Sequence, residues 1–523
     1  MSTLPPVCIL TAGLGKRMGL YTEKVNKALL PLDDRGIISH IIERFPKDTE
    51  FVVGVGYLQE QVRQYLSIAH PDRNITFAEV DNYDGPGSGP GYSLLCCRSY
   101  LQRPFYFVSC DTLWDNALPM PLDHSWLGVA TVPIEETARY CTLRVDANRI
   151  TELRDKEPVT NSAYQAFVGL CYIHDYAVYW KSLECCGLVA GEHQMSTALR
   201  VLVEQCDVRV VPVDWTDVGD LEKYKQAVLR FSDYDFSKSE EIFYCVGSKV
   251  IKYFVDHTVT DKRVAKAKMA PRVFPAITDH VGGFYAYIYQ PGETLYDFNS
   301  PNILQSLLRW LETSVWKKVN VDADTMAHAC RYFYKEKTHK RLEMYDQKYT
   351  MDTEPTIING QPVPMLKDLL AKVPWGRLEE GVPCFIHGDL QFDNILYNRA
   401  TSNFKLLDWR QDFAGHVNFG DLYYDLAKLR GGITLNYDYI KHNLLHYEEF
   451  ESSANFDFAQ RYQTNTYLSI LDTYVEHRSL DVDQVRLLMA IIYLNMAPLH
   501  HYPFDKILHA LGRVLLARKI RNT

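Results

Sequence analysis

Asp389, Asn394 and Asp408 supply a carboxylate, an amide and a second carboxylate in close sequence order. The first two lie in Phe385-Ile386-His387-Gly388-Asp389-Leu390-Gln391-Phe392-Asp393-Asn394, and the third follows the strand-like Phe404-Lys405-Leu406-Leu407. In metal-assisted phosphoryl transfer, such an aspartate accepts the proton of the acceptor hydroxyl, while the asparagine and the later aspartate hold Mg2+. Far upstream, Gly13-Leu14-Gly15-Lys16-Arg17-Met18 follows the apolar Val7-Cys8-Ile9-Leu10, and Lys27-Ala28-Leu29-Leu30-Pro31-Leu32 comes shortly after. Glycines let the backbone approach phosphates closely, and amide N–H groups there can cradle them. A tight strand-to-helix turn has the same pattern. Two phosphate-handling sites are therefore expected, one toward each end of the chain.

Three further segments extend the upstream pattern. Gly85-Pro86-Gly87-Ser88-Gly89-Pro90-Gly91 is a glycine-rich run, Asp111 follows Phe105-Tyr106-Phe107-Val108, and Asp217 stands in Trp215-Thr216-Asp217-Val218-Gly219. Over residues 5–225 these motifs together resemble the sugar-phosphate nucleotidyltransferase family, which includes phosphocholine cytidylyltransferases. The resemblance implies that Gly13, Gly15, Lys16 and Arg17 hold a nucleoside triphosphate and Lys27 the phosphate of a second substrate. It implies that the segment with Gly89 and Gly91 contacts the base, and that Asp111 and Asp217 bind Mg2+. Lys156, in Asp155-Lys156-Glu157-Pro158, lies near the family's Glu-Lys-Pro loop with its order altered, which implies a substrate-binding role. A phosphate oxygen would attack the α-phosphorus in line and pyrophosphate would leave. Two carboxylates hold Mg2+ while leaving room for phosphate oxygens, and Arg17, Lys27 and Lys156 offset the charge that develops. Lys16 replaces the small hydroxyl residue usual before the arginine, and Asn26 the proline usual before the lysine. Neither change removes a catalytic group; both leave the base open, with CTP the expected nucleotide.

The downstream motifs resemble the aminoglycoside phosphotransferase and choline kinase family over roughly residues 240–430, with Asp408-Trp409 as its Asp-Trp dipeptide. That resemblance implies Asp389 as catalytic base, and Asn394 and Asp408 as Mg2+ ligands. It makes Lys252, in Val250-Ile251-Lys252-Tyr253-Phe254, a ligand of the ATP phosphates. Gln290, in Tyr287-Ile288-Tyr289-Gln290-Pro291-Gly292, falls in a hinge against the adenine. Gly420-Asp421-Leu422-Tyr423-Tyr424-Asp425-Leu426-Ala427 resembles the acidic segment that orders the catalytic loop; helix capping is the alternative for Asp421 and Asp425. His387 reads as a loop-orienting hydrogen bonder. Choline kinases of this family tend to carry an acidic residue where Arg410 stands, with Asp412 two positions on. A cation there disfavours a quaternary ammonium and favours a neutral or anionic hydroxyl compound. Trp310, Trp316, Tyr332, Phe333 and Tyr334 fit either a cation-binding cage or core packing.

These residues need a scaffold. Apolar runs at Val7–Leu10, Phe51–Val55, Phe105–Val108, Leu127–Val132 and Val208–Pro212 alternate with helical periodicity at Ile37–Phe45, Gln59–Leu66 and Leu221–Phe231. That alternation predicts an α/β fold: an N-terminal Rossmann-like nucleotidyltransferase domain with a mixed, mainly parallel sheet. Its ligands bind beyond the carboxyl ends of the strands. The expected boundaries are 1–230 for this domain, 231–241 for a polar linker, and 242–523 for a bilobal, protein-kinase-like phosphotransferase domain. Its N-lobe covers about 242–290, with strands at Phe243–Phe254 and Gly283–Tyr289, and its helical C-lobe about 291–523, including Ile303–Leu311 and Val485–Leu494.

Length and composition agree with two or three globular domains: 523 residues, 47% apolar and 23% charged. A net charge of −9 argues against a general nucleic-acid binder. Twelve cysteines without a CxxC pair suit reduced thiols in a cytoplasmic protein, and no membrane span or signal peptide is expected. The expected partners are ATP, CTP or another NTP, and a small alcohol or sugar; a homo-oligomer is compatible with the sequence. The sequence thus reads as a bifunctional enzyme that phosphorylates a small hydroxyl compound and then activates it as an NDP derivative for surface polysaccharide or lipid head-group synthesis. A sugar kinase fused to an NDP-sugar pyrophosphorylase is the alternative, and a nucleotide-binding regulatory protein with one inactive domain is a reading of another class.

Overall fold

Residues 7–9 explain how the first sheet is built. Successive side chains of a strand point to opposite faces, so Val7 and Ile9 enter one apolar cluster and Cys8 the other. Phe51 and Val53 against Val52, and Tyr106 and Val108 against Phe105 and Phe107, divide in the same way. A strand apolar on both faces must be covered on both, and each face has its own core.

The computed structural model describes residues 4–119, 123–146, 148–159, 163–230, 240–298, 300–349 and 354–521. The chain divides into two compact units. Unit one comprises residues 1–232, 237–256 and 279–286, and unit two residues 233–236, 257–278 and 287–523.

Unit one is built on a nine-stranded sheet: β1 (Val7–Leu10), β2 (Glu50–Val55), β3 (Asn74–Glu79), β4 (Phe105–Ser109), β5 (Ser125–Ala130), β6 (Cys141–Asp146), β7 (Arg149–Asp155), β8 (Tyr164–Ile173) and β9 (Val208–Pro212), in the order β3-β2-β1-β4-β8-β5-β9-β7-β6. The expectation of a mainly parallel sheet needs correction. The pairs β1–β2, β1–β4, β2–β3 and β5–β9 are parallel, whereas β4–β8, β5–β8, β6–β7, β6–β8 and β7–β9 are antiparallel. Helices Gln59–Ala69 and Pro90–Cys97 return the chain between the parallel strands of the first half. The stretch from β6 through β7 to β8 contains no helix among its described residues, and short connections without a crossover leave only antiparallel pairing.

The hairpin Glu241–Val246 and Lys249–Phe254, expected in the second domain, belongs to unit one. Tyr244 donates its hydroxyl to the Leu29 carbonyl at 2.7 Å and packs on Tyr65 with ring centroids 4.8 Å apart. Ile251, Tyr253, Phe284 and Ala286 join the same core cluster. The expected linker 231–241 lies, apart from Glu240 and Glu241, outside the described residues.

Unit two is mainly helical. Its longest helices are Pro301–Ser314, Thr464–His477, Val482–Met496 and Phe504–Arg521. The helix pair Ala323–Cys330 and Lys337–Tyr349 is joined by a π-helical turn, Arg331–Glu336. The hairpin Ile395–Asn398 and Asn403–Leu406 runs from the residue after Asn394 to two residues before Asp408. The window Val482–Leu499 is long and apolar enough to cross a membrane, but most of it is buried inside the unit, against the helices Leu422–Thr434 and Phe504–Arg521.

Candidate active sites

In unit one, a short ribbon brings the two aspartates together. Thr112–Trp114 pairs antiparallel with Trp215–Asp217, in a register that sets Asp217 opposite Thr112 and so beside Asp111. The two carboxylates flank Gly219. A Cβ added there would lie 2.8 Å from Asp217 Oδ1, 3.3 Å from Asp111 Oδ2 and 3.7 Å from Arg17 Nη2. Cations complete the cluster: Lys27 Nζ reaches Asp111 Oδ2 at 2.5 Å and donates to the Gly219 carbonyl at 3.0 Å. Arg17 Nη2 lies 3.7 Å from the same carboxylate and is well exposed. Burial pushes the Asp111 carboxyl up, but Lys27, Ser109 and Arg17 outweigh it and hold it down at about 2.

Local sequence explains these positions. Gly15 takes a left-handed conformation with φ 66°, and a Cβ there would meet Thr22 Cγ2 at 3.0 Å and Lys27 Cβ at 3.3 Å, so the turn requires glycine. Asn26, in place of the expected proline, caps the short helical turn at Lys27 by accepting from Ala28 N, and its Nδ2 donates to the carbonyls of Thr11 and Tyr57. Lys16 points away to an exposed ion pair with Asp84 at 2.8 Å. Gly13 has open space where a Cβ would be. A Cβ on Gly89 or Gly91 would come within 2.6 or 2.8 Å of the His193 carbonyl, so both glycines allow residues 191–193 to pack on this loop. Lys156 is exposed on the loop after β7, where its amide donates to the Tyr140 carbonyl; its ammonium has no ion pair with Asp111 or Asp217.

Two members of the cluster escape sequence reading. Lys223 Nζ pairs with Asp217 Oδ2 at 2.7 Å, and the Tyr140 hydroxyl donates to the same oxygen at 2.9 Å. Lys223 sits in the helix Leu221–Val228, whose N-cap Asp220 accepts from its amide. A lysine in the first helical turn after the aspartate was the available signal.

In unit two, a buried carboxylate organises the loop before Asp389. Asp425 Oδ2 accepts from His387 N at 2.8 Å and Trp316 Nε1 at 3.0 Å, and Oδ1 accepts from Gly388 N at 2.7 Å. Asp421 does different work: it caps the helix Leu422–Thr434 and accepts from the Tyr334 hydroxyl at 2.6 Å. The two sequence readings of this acidic pair therefore divide between its members. His387 is fully buried, and burial lowers its pKa to about 4. Asp389 N donates to its Nδ1, so Nε2 carries the proton and donates to the Leu407 carbonyl at 2.7 Å. It is a neutral loop-orienting group.

Asp389 Oδ1 pairs with Lys428 Nζ at 2.6 Å and accepts from Gln391 Nε2 at 3.0 Å. Burial pushes this carboxyl up, but Lys428, Arg410 and Gln391 hold it well below the usual range. Asn394 Nδ2 donates to the Asp389 carbonyl at 2.9 Å, and Asn394 O accepts from Leu407 N at 2.8 Å, which ties the loop to the strand before Asp408. Asp408 has φ 50° and lies 3.9 Å from Arg263 Nη1. Arg410 Nε donates to the Gly388 carbonyl at 3.1 Å, while Asp412 pairs with Lys262 at 2.7 Å. Lys428 was not singled out from sequence. Its signal is the i,i+3 spacing from Asp425, which puts both on one helix face.

Lys252 lies in unit one, buried on the hairpin, with Nζ 3.7 Å from Glu241 Oε1 and 4.9 Å above the Phe243 ring. Gln290 lies in unit two, exposed, and donates to the Ile288 carbonyl at 2.6 Å. Among the described residues no three His, Cys, Asp or Glu side chains form a metal cage. Each site offers instead two hard oxygen donors, Asp111 with Asp217 and Asp408 with Asn394, a set that suits Mg2+ shared with phosphates.

Asp425→Ala would orphan the His387 and Gly388 amides and the Trp316 indole N–H in the interior. We expect a loss of about 3 kcal/mol in unit two, since each unsatisfied buried donor costs about 1–3 kcal/mol and relaxation recovers part. An earlier denaturant transition of the full chain checks it, with Asp425→Asn milder.

Comparison with known proteins places the first unit. Residues 7–120 match the model of the MobA-like NTP transferase domain. The bifunctional protein GlmU of Methanocaldococcus jannaschii is 26% identical over 216 residues, which cover 40% of this chain and 50% of GlmU. The UTP–glucose-1-phosphate uridylyltransferase AglF of Haloferax volcanii is 25% identical over 246 residues, covering 43% of this chain and 96% of AglF. The chain spans about half the length of the GlmU relatives it matches. Among solved structures, a UDP-glucose pyrophosphorylase from Acinetobacter baumannii superposes with a TM-score of 0.37 at 16% identity, covering 44% of this chain and 93% of the other. Residues 7–120 of the first unit, which include Gly13, Gly15, Lys27 and Asp111, thus resemble a MobA-like NTP transferase domain.

Proposed function

We propose that the chain is a bifunctional enzyme. Unit two phosphorylates a small hydroxyl compound from ATP, and unit one joins the product to a nucleotide, with CTP the preferred donor. The observation that carries the reading is the convergence of Asp111, Asp217, Lys27 and Arg17 around Gly219, in the unit that contains the matched NTP transferase segment.

In unit one, a phosphate oxygen of the second substrate forms a bond to the α-phosphorus of the NTP. The bond from that phosphorus to the bridging oxygen breaks, and pyrophosphate leaves. Lys27 and Arg17 stabilise the charge on the reacting phosphates. Mg2+ held by Asp111 and Asp217 would neutralise phosphate charge when bound, and Lys27 and Lys223 pair with those carboxylates. In unit two, the acceptor hydroxyl bonds to the γ-phosphorus as the β,γ-bridging bond breaks and ADP leaves. The hydroxyl proton passes to Asp389. A carboxylate held well below the usual range is a weak base, which suits a loose transition state in which the proton moves late. Asn394 and Asp408 would hold the metal there. We assign the fold of this second activity to the protein-kinase-like class, in support of which stands the Asp389, Asn394 and Asp408 arrangement.

Fusion gives both activities in equal amounts and a raised local concentration of intermediate. The product would be an NDP-activated alcohol for surface polysaccharide or lipid head-group synthesis in the cytoplasm. A second reading, a sugar acceptor, is favoured by the match along nearly all of AglF, whose name states a sugar-phosphate substrate. A matrix of NTPs against alcohols and sugars, with ATP present and nucleotide-linked products read by mass spectrometry, tests both. We expect a CDP-linked alcohol. A UDP- or dTDP-sugar would select the second reading, and the absence of any nucleotide-linked product would overturn both in favour of a regulatory protein.

A further inference from the structure

The cations around Asp389 are more numerous than its chemistry requires. Lys337 Nζ lies 4.0 Å from the centroid of the Phe333 ring, and the Arg410 guanidinium lies 5.3 Å from the same centroid. Arg410 is also anchored to the Gly388 carbonyl, next to Asp389, and Lys428 pairs with Asp389 itself. Arg410, Arg341 and Lys428 all act electrostatically on Lys337; burial is the largest influence lowering its pKa and these three add to it. Two carboxylates that face Lys337 and Arg410 are already held: Asp389 by Lys428 and Asp412 by Lys262. Among the described residues, neither Lys337 nor Arg410 has a carboxylate within ion-pair distance. Lys337, Arg410 and Lys428 thus gather beside one hydroxyl-activating carboxylate, where burial screens their mutual repulsion poorly.

Of the five aromatic residues that could have caged a quaternary ammonium, Tyr332 is exposed and the other four are otherwise engaged. Trp316 and Tyr334 donate to Asp425 and Asp421, and Trp310 packs on Phe404 at 5.5 Å. Phe333 is packed on Phe413 at 4.4 Å and already carries two cations. It stands in the π-helical turn Arg331–Glu336, an irregularity that occurs frequently at functional sites.

From this we infer that the acceptor of unit two is a hydroxyl compound that already bears an anionic group, a carboxylate or a phosphate, recognised by Lys337 and Arg410 while its hydroxyl faces Asp389. The inference rests on the phosphotransferase reading of unit two. Guanidinium binds such groups with two parallel hydrogen bonds, and an anion there relieves the crowding of like charges. Lys337 and Arg410 act as specificity-determining residues, with no part in the transfer of the proton.

The test uses the full chain, ATP and Mg2+, with glycerate, glycerol 3-phosphate, glycerol and choline as acceptors, and reads ADP release and the phosphorylated product. We expect kcat/KM for glycerate or glycerol 3-phosphate to exceed that for glycerol and choline by at least 100-fold; which of the two leads identifies carboxylate or phosphate. Arg410→Gln and Lys337→Gln should raise KM for the anionic acceptor about tenfold or more, with kcat changed much less, and Arg410→Lys should recover part of the loss. Glycerol or choline phosphorylated as well as the anionic acceptors would overturn the inference and leave the phosphotransferase reading standing. No phosphorylation of any acceptor would overturn that reading and the inference with it.

Discussion

Asp389→Asn should lower ATP-dependent phosphorylation of the acceptor by about a thousandfold, within the range of about 10²–10⁴ that a positioned general base contributes. Asparagine keeps the shape and the bond from Gln391 Nε2, but cannot take the hydroxyl proton and leaves Lys428 without its carboxylate. The loss should fall in kcat, because the missing interaction is made only as the proton moves. Pyrophosphate release by unit one should continue when the phosphorylated acceptor is supplied directly, which separates a dead site from a misfolded chain. Phosphorylation at the wild-type rate would remove Asp389 from the mechanism and the kinase assignment with it.

The opposite pattern is expected for Asp111→Asn: nucleotidyl transfer falls by about a thousandfold, while ADP release from ATP and acceptor persists. A thousandfold corresponds to about 4 kcal/mol, consistent with several kcal/mol of charge stabilisation from a bound metal. The substitution also leaves the buried Lys27 ammonium without its 2.5 Å partner, so part of the loss should appear as weaker binding of the second substrate. Asp111→Glu, which keeps the charge but moves it by one methylene, should recover metal dependence at a lower rate. Pyrophosphate assayed against Mg2+ concentration distinguishes these effects. Undiminished pyrophosphate release by Asp111→Asn would overturn the assignment of this site.

Much of this was legible before any coordinates. The apolar runs at Val7–Leu10, Phe51–Val55, Phe105–Val108 and Val208–Pro212 became sheet strands because a continuous apolar segment has to be covered on both faces. Gly15 was readable as a turn residue, and the structure supplies the reason in Thr22 and Lys27. The run Leu127–Val132 was offset; the strand covers Ser125–Ala130. The antiparallel half of the sheet was not readable, because pairing direction depends on how the chain returns and not on the local pattern. The placement of the hairpin 241–254 in unit one was equally hidden. Its Tyr244 packs on Tyr65 and bonds Leu29, which is 215 positions away.

What the sequence determined by itself was the chemistry on offer: glycines after a strand, carboxylates at strand ends, a lysine in a short turn, and an aspartate, asparagine and aspartate in series. These are local patterns, set by backbone freedom and by residue type at fixed spacing. Tertiary structure alone decided the counter-charges. Lys223 meets Asp217, Lys428 meets Asp389, and Lys337 shares the Phe333 ring with Arg410. Local spacing marks the candidate lysines, but which carboxylate each one meets depends on how the elements approach, and that approach is driven by apolar burial.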